Sequence, residues 1–303
     1  MSDSELEKYI IGIDRFIASQ PNSDIHQAIR AFNHEMMGTL NSITPLVGLR
    51  ILDVGASPHG YALEKCLELG ALEYVGIGLD IADEFLIEAA DCRGRLIKMD
   101  AEDLAFEDNY FDAVITMSTF EHIGNLNKAL SEMCRVIKPG GCVLITFEPV
   151  WTSSYGHHLH HLGSIAELIP PWAHLLWDKN EMIAYMQTQW PDNATISVMD
   201  AGAWIYESDA LNRKSIIEIQ RSIQNSGMHV EWMVPLLDND RDEIQLQAAI
   251  KKTGLSRADL MTKGLSALLY KPALSMWPKK INGLKVKFRA LWKAFAKIVN
   301  RLF

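Results

Sequence analysis

The sequence predicts an α/β protein built on a doubly wound, mainly parallel sheet of seven strands. From residue 50 to 148, short apolar runs alternate with amphipathic stretches of helical period. The first of those runs, "LRILDVG", ends in a glycine turn. Regular patterns return after residue 207 and supply two more strands. Repeats of this kind put helices on both faces of a parallel sheet.

Taken in order, residues 4 to about 42 read as two helices. Leu6, Tyr9, Ile10, Ile13, Phe16 and Ile17 fall at helical spacing, and Pro21 breaks the pattern. "LRILDVG" is a buried strand, "YALEKCLELG" a helix with a glycine stop, and "YVGIGLDI" a second strand. "EFLIEAADCRG" reads as a helix and "LIKMDAEDL" as a short strand running into a loop. "FDAVITMS" is a fourth strand, "NLNKALSEMCRVIKPGG" a helix with a Pro-Gly-Gly end, and "CVLITFEP" a fifth strand. The rhythm breaks at 149–207, which holds five of the eight tryptophans (Trp151, Trp172, Trp177, Trp190, Trp204) and reads as an inserted cap after strand 5. Trp172, Leu175, Leu176 and Trp177 suit the small core of such a cap better than a sugar-stacking surface. A helix at 208–226, strand "HVEWMVPLL", helices at 240–252 and 256–263, and strand "LSALLYK" follow. The expected parts are N-terminal helices (1–47), a core (48–148), the cap (149–207), the rest of the sheet (208–275) and a basic amphipathic helix (276–303).

Composition narrows the function classes. Apolar content of 48% and charged content of 22% are those of an ordinary globular chain. No apolar run reaches the length of a membrane span, and "MSDSELEKYI" lacks a signal-peptide layout. The four scattered cysteines, Cys66, Cys92, Cys134 and Cys142, read as reduced core thiols, so a cytoplasmic location is expected. Eight of the 29 basic residues lie in 276–303, which has no acid; the other 275 residues carry 21 basic and 38 acidic side chains, a balance of −17. An acidic body argues against nucleic acid as a partner. In the tail, Lys285, Arg289, Lys293, Lys297 and Arg301 recur every four residues beside a stripe including Leu284, Phe288, Trp292 and Phe295. That pattern predicts a helix over 282–303 lying on an anionic membrane surface, peripheral on the inner face.

Gly55, Ser57 and Gly60 occupy a G-x-G-x-x-G frame, and Asp80 ends the second strand twenty residues on, where a carboxylate can hold ribose hydroxyls. Ser57 hinders the backbone approach that a pyrophosphate needs, and Asp53 adds a negative charge. Both disfavour NAD and suit S-adenosylmethionine, which carries an ammonium and a sulfonium and no phosphate. The stretch "DAEDLAFEDNYFDAVITMSTFEHIGNLNKALSEMCRVIKPGGCVLITFEP" then resembles the class I S-adenosylmethionine-dependent methyltransferases, in particular the type 11-like group with D-A-x-x-L-P-F-x-D-x-x-F-D after the third strand. The resemblance covers roughly residues 48–148. It implies a Rossmann-like sheet and S-adenosylmethionine as cofactor, with Gly55, Ser57 and Gly60 wrapping the methionine part and Asp53 behind it. It also implies Asp80 on the ribose, Asp100 on the adenine amine with Ala101 and Glu102 beside the ring, Met117 and Ser118 near the transferring methyl, and His122 lining the pocket. The loop departs from D-x-G-x-G-x-G at Ser57, and its last glycine sits one place late.

The acceptor should enter beyond the strand ends, where the fifth strand ends at Glu148 and "YGHHLHHLG" begins soon after. Glu148, His157, His158 and His161 are the catalytic candidates. The histidines have three competing uses: metal ligation by His157 or His158 with His161, general-base or orienting work, and polar packing of the cap on the sheet. Gly156 argues for a loop and no acid or thiol stands at a familiar spacing, so no metal is assigned. The expected reaction is methyl transfer to O or N of a small-molecule, glycan or lipid-linked acceptor. The rivals are an NAD-dependent oxidoreductase and a non-catalytic, membrane-docked binding module.

Overall fold

The computed structural model describes residues 11–12, 22–82, 85–89, 92–159, 168–192, 194, 196–240 and 242–273. The first predicted helix and the tail at 276–303 lie outside them, apart from Ile11–Gly12, which form the short strand β1 rather than helix. Helix α1 (Asp24–Ile43) follows, then β2 (Arg50–Val54), α2 (Tyr61–Glu68), β3 (Glu73–Gly78), β4 (Phe85–Ala89), β5 (Cys92–Lys98), β6 (Phe111–Met117), α3 (Leu126–Val136) and β7 (Ile137–Phe147). The chain continues through α4 (Ala173–Leu176), α5 (Lys179–Gln187), α6 (Val198–Glu207), α7 (Ile216–Gln224), β8 (His229–Leu237), α8 (Glu243–Thr253), α9 (Arg257–Leu260) and β9 (Thr262–Tyr270).

One mixed sheet runs β1-β4-β5-β3-β2-β6-β7-β9-β8. Its central strands β5, β3, β2, β6 and β7 are parallel, and β9 joins β7 and β8 antiparallel. All seven expected strands are there. Two more make nine among the described residues. These are β1 and β4, and β4 corrects the helix expected over "EFLIEAADCRG": Phe85–Ala89 is a strand antiparallel to β5, with Ile87 opposite Gly94. Leu86 and Ile87 are consecutive and both buried, as in a strand covered on both faces, though the pair alone does not separate strand from helix. Gly94 gives Leu63 of α2 room against β5, since a Cβ would lie 2.4 Å from Leu63 Cδ1.

The helices cover both faces. Met36, Met37 and Leu40 of α1 and Ala62, Leu63 and Cys66 of α2 pack one face over Ile51, Tyr74, Ile115 and Leu144. Leu126, Leu130 and Met133 of α3 and Ile216, Ile219 and Ile223 of α7 pack the other over Leu52, Val54, Val114 and Ile145. Continuous apolar strands such as "AVITM" form because neither face meets water.

Between β7 and α7 the chain forms α4, α5 and α6 around a core of its own. Leu159, Ile169, Met182, Met186, Ala201 and Ile205 fill it, edged by Trp151, Trp177, Trp190 and Trp204. Trp172 is the exception. It is fully buried against Leu246, Ala249 and Leu260, and its indole N–H donates to Leu260 O (3.2 Å). Among the described residues, no helix is long and apolar enough to cross a membrane.

Candidate active site

The expected cofactor residues meet at the carboxyl ends of β2, β3, β5 and β6. Asp53 on β2 is fully buried. Tyr74 Oη–H donates to its Oδ2 (2.6 Å), while Oδ1 has no hydrogen-bond partner. Burial raises the Asp53 pKa to about 7, and the Tyr74 bond only partly opposes it. Beyond β2, the amides of Gly55 and Ala56 both donate to Ile77 O (2.8 Å each), pinning the loop to β3. Gly55 has φ +80°, and a Cβ there would lie 2.0 Å from Thr119 Oγ1, so this position takes only glycine. Ser57 turns inward: its Oγ accepts from His59 N (3.2 Å) and its carbonyl from Gly60 N (2.8 Å). The late glycine therefore closes a turn and caps α2 in a left-handed conformation (φ 62°).

Sequence reasoning passed over Gly76 and Gly78 on β3. A Cβ on Gly76 would sit 2.7 Å from Ala56 Cβ, and one on Gly78 would sit 2.9 Å from Asp80 Oδ1, so both let the loop lie against the strand. Their alternation in "YVGIG" was the available signal. Asp80 is exposed just past β3. Asp100, also exposed, accepts from Glu102 N (2.9 Å), and Ala101 between them is half-buried. Glu102 Oε1 accepts from Asn125 N (2.7 Å), which ties this loop to the start of α3. Met117 is buried at the end of β6, and Ser118 beside it is exposed with φ +46°, a costly conformation for a side-chain-bearing residue.

These residues fit S-adenosylmethionine. Asp53 Oδ1 is an orphaned buried acceptor suited to an ammonium, Asp80 is an open carboxylate suited to a diol, and the glycine cradle keeps side chains away. Nothing in the loop suits a pyrophosphate. Residues 52–145 also match the family model described as a methyltransferase domain. The chain carries a class I S-adenosylmethionine-dependent methyltransferase domain. Curated relatives of the methyltransferase include demethylmenaquinone methyltransferase of Clavibacter sepedonicus, 28% identical over 64% of this chain and 80% of its own length. The mitochondrial ubiquinone biosynthesis O-methyltransferase of Homo sapiens is 32% identical over 45% of this chain and 38% of its own. The ubiquinone/menaquinone biosynthesis C-methyltransferase of Idiomarina loihiensis is 34% identical over 32% and 42%. The methyltransferase thus spans four fifths of the first relative and less than half of the other two.

In the turns that follow β7, the two adjacent histidines part company. His157 points into the cap: Leu159 N–H donates to its Nδ1 (3.1 Å), and its ring lies 5.6 Å from that of His174. His158 has φ +58° and faces the sheet, 5.2 Å from the His122 ring. The segment is a run of turns rather than a helix, with Gly156 N donating to Ser153 O and His158 N to Tyr155 O (3.2 Å each). A Cβ on Gly156 would meet Trp151 O at 2.2 Å. His161 lies outside the described residues. Glu148 is committed to an ion pair with Lys263 (Oε1 3.0 Å, Oε2 2.9 Å).

His122 Nδ1–H donates to Ala210 O (2.8 Å), which leaves Nε2 as the acceptor in the neutral ring. The ring keeps an exposed edge, but the protein packed around it governs its charge: desolvation lowers its pKa against the opposing pull of Ala210 O and Asp80. Glu121, which with His122 forms the E-H of the family-like stretch and has no role implied by it, is buried beside it. Its pKa is raised well above the usual range by that burial and, less, by Glu148.

His174 gives the cap a pH dependence. Its Nε2–H donates to Trp151 O (2.7 Å), its ring packs 4.7 Å from Trp151, and burial lowers its pKa to about 4. A histidine depressed in the folded state takes up its proton first in the unfolded chain. The cap is therefore expected to keep its full stability above about pH 6.5 and to lose roughly 3 kcal/mol as the pH falls towards 4. Melting curves between pH 7 and 5 check this. The loss should shrink in His174→Gln, whose amide nitrogen can keep the bond to Trp151 O.

Proposed function

We propose that the enzyme methylates a hydroxyl oxygen of a small hydroxylated ring, with quinol-type rings as the leading acceptors. The observation that carries this is the pair of imidazoles, His122 and His158, whose Nδ1–H groups are held by carbonyls (Ala210 O, 2.8 Å; Gly156 O, 2.7 Å). In its neutral form His122 keeps a basic Nε2 and an exposed edge four residues past Ser118, and the His158 ring packs against it (5.2 Å). An amine needs no such help once neutral, whereas a hydroxyl must give up its proton. Names of relatives that act in menaquinone and ubiquinone biosynthesis support the ring class.

S-adenosylmethionine supplies the methyl on a sulfonium, and transfer to a hydroxyl releases S-adenosylhomocysteine and one proton. Asp53 holds the ammonium, Asp80 the ribose and Asp100 the adenine amine. Gly55, Ser57 and Gly60 shape the methionine cradle, and Ala101, Glu102, Met117 and Ser118 line the rest. Alignment of donor and acceptor contributes about 7–11 kcal/mol at best. Residues 149–207 act as the acceptor cap. The cationic stripe at 282–303 supports docking on an anionic membrane, where membrane-borne acceptors would reach the cap.

The test is label transfer from methyl-labelled S-adenosylmethionine to a panel of reduced quinones, phenols, amines and glycan lipids. Label should appear on hydroxylated rings, and His122→Ala should slow it about a hundredfold. Labelling of amines or glycans alone would sink the reading. A silent panel despite tight cofactor binding would favour a binding module.

A further inference from the structure

We infer that Glu121, His122 and His158 form a binding site for one divalent transition-metal ion, Zn(II) by donor type. One potential ligand atom of each residue lies within 4.8 Å of the other two. Two imidazoles and a carboxylate are ligands that such ions accept and that Mg(II), which prefers oxygen, does not. Glu121 is 3% exposed and its Oε2 has no hydrogen-bond partner, a position that costs free energy unless a cation or donor arrives.

The surroundings of the histidines point the same way. Each donates its Nδ1–H to a backbone carbonyl, Ala210 O for His122 and Gly156 O for His158. That is the outer bond that fixes tautomer and ring plane in metal-ligating histidines, with Nε2 left to bind. His158 also holds an unfavourable left-handed backbone, as does Ser118 four residues before His122. Zinc ligands at about 2.0–2.1 Å from the ion sit roughly 3.3 Å apart, so the three groups must draw inward on binding. His122, with its exposed edge, has room to do so. Three protein ligands leave a fourth position open.

This differs from the histidine pairings suggested by spacing alone, since the carboxylate and one imidazole come from the turn after β6 and only one ligand from the histidine-rich turn. The site deepens the proposed hydroxyl methylation and rests on it for its use: an acceptor oxygen can take the open position, where the ion, in place of the two Nε2 atoms it occupies, would lower the hydroxyl pKa; its binding of zinc does not depend on that reaction.

The experiment is titration of the tag-free full chain, stripped with EDTA, with zinc sulfate, followed by calorimetry and melting. One zinc per chain and a raised melting temperature are expected. Glu121→Gln, which keeps the shape, should lower zinc affinity at least about a hundredfold without lowering the metal-free melting temperature or the S-adenosylmethionine affinity. His158→Asn, whose side chain tolerates the left-handed backbone, should do the same. The double variant His160→Ala/His161→Ala should still bind. The site is overturned if the wild type binds no zinc at micromolar concentration, if Glu121→Gln and His158→Asn bind as tightly as wild type, or if only the double variant loses binding. Zinc bound without methylation of any hydroxylated ring defeats the reaction and leaves the site. Methylation unaffected by EDTA, with no zinc bound, defeats the site and leaves the reaction.

Discussion

Replacing Asp53 with asparagine is expected to weaken S-adenosylmethionine binding roughly a hundredfold and, at the same time, to stabilise the cofactor-free protein. The two effects have one cause. Asp53 is wholly buried, has one oxygen satisfied by Tyr74 and the other by nothing, and titrates at about 7. Its ordinary value is 3.8, so the folded state holds the proton more tightly than the unfolded chain does. Stability is therefore highest below about pH 4 as far as this group is concerned, and falls as the pH rises to 7, by roughly 4 kcal/mol at most. Asparagine accepts the Tyr74 bond and removes the dependence. A bound ammonium reverses the balance for the carboxylate, and truncating one partner of a buried charged pair costs about 2–5 kcal/mol. Wild-type affinity for the cofactor should thus improve about tenfold per pH unit up to about 7 and then level off. Calorimetric titrations and melts at pH 5, 6, 7 and 8 read both effects. An Asp53→Asn protein that binds the cofactor as tightly as wild type would remove Asp53 from the site.

Lys263→Met is expected to be among the most destabilising changes in the sheet. Lys263 begins the run of β9 that faces the end of β7, and its ammonium holds both oxygens of Glu148 while its carbonyl accepts from Val150 N (2.6 Å). Both side chains are largely buried, 14% exposed for Glu148 and 18% for Lys263. Removing the cation leaves an acid pushed upward by burial, with the Asp238 carboxylate also raising its pKa. Loss of one partner from a buried pair costs about 3–5 kcal/mol. For a chain of this size that is roughly a 6 °C fall or more in melting temperature. Glu148→Gln in the same chain should recover most of it. The double variant also separates structure from chemistry: it should methylate at near the wild-type rate if Glu148 only anchors the strand end. A stable but inactive double variant would return Glu148 to the acceptor site.

The strands of the core and the cofactor loop were legible because their signals are local. A buried parallel strand is a run of apolar residues, and a glycine turn needs its glycines in sequence. Phe85–Ala89 was not legible as a strand because no Asn-Gly or Gly-Gly turn stands between Ala89 and Cys92, and "FLIEA" suits a helix as well as a buried strand. The histidine-rich turn failed differently. Its spacing suggested partners within the turn, whereas His158 meets Glu121 and His122 from 37 and 36 residues away. No periodicity encodes such a meeting; it follows from β6 and β7 being neighbours in the sheet.

The self-contained core of α4, α5 and α6 has a further consequence. Most of its apolar residues bury one another; Trp172, Leu175 and Leu176 pack instead on Leu246, Ala249 and Leu260, and polar ties such as Ser154 to Asp238 (2.5 Å) add to that hold. A unit held this way can detach without exposing the main core, so its amides should exchange with deuterium ahead of those of β2 and β6. If the unit covers the acceptor as proposed, the frequency of that detachment would set a ceiling on turnover, since product would leave only while it is open.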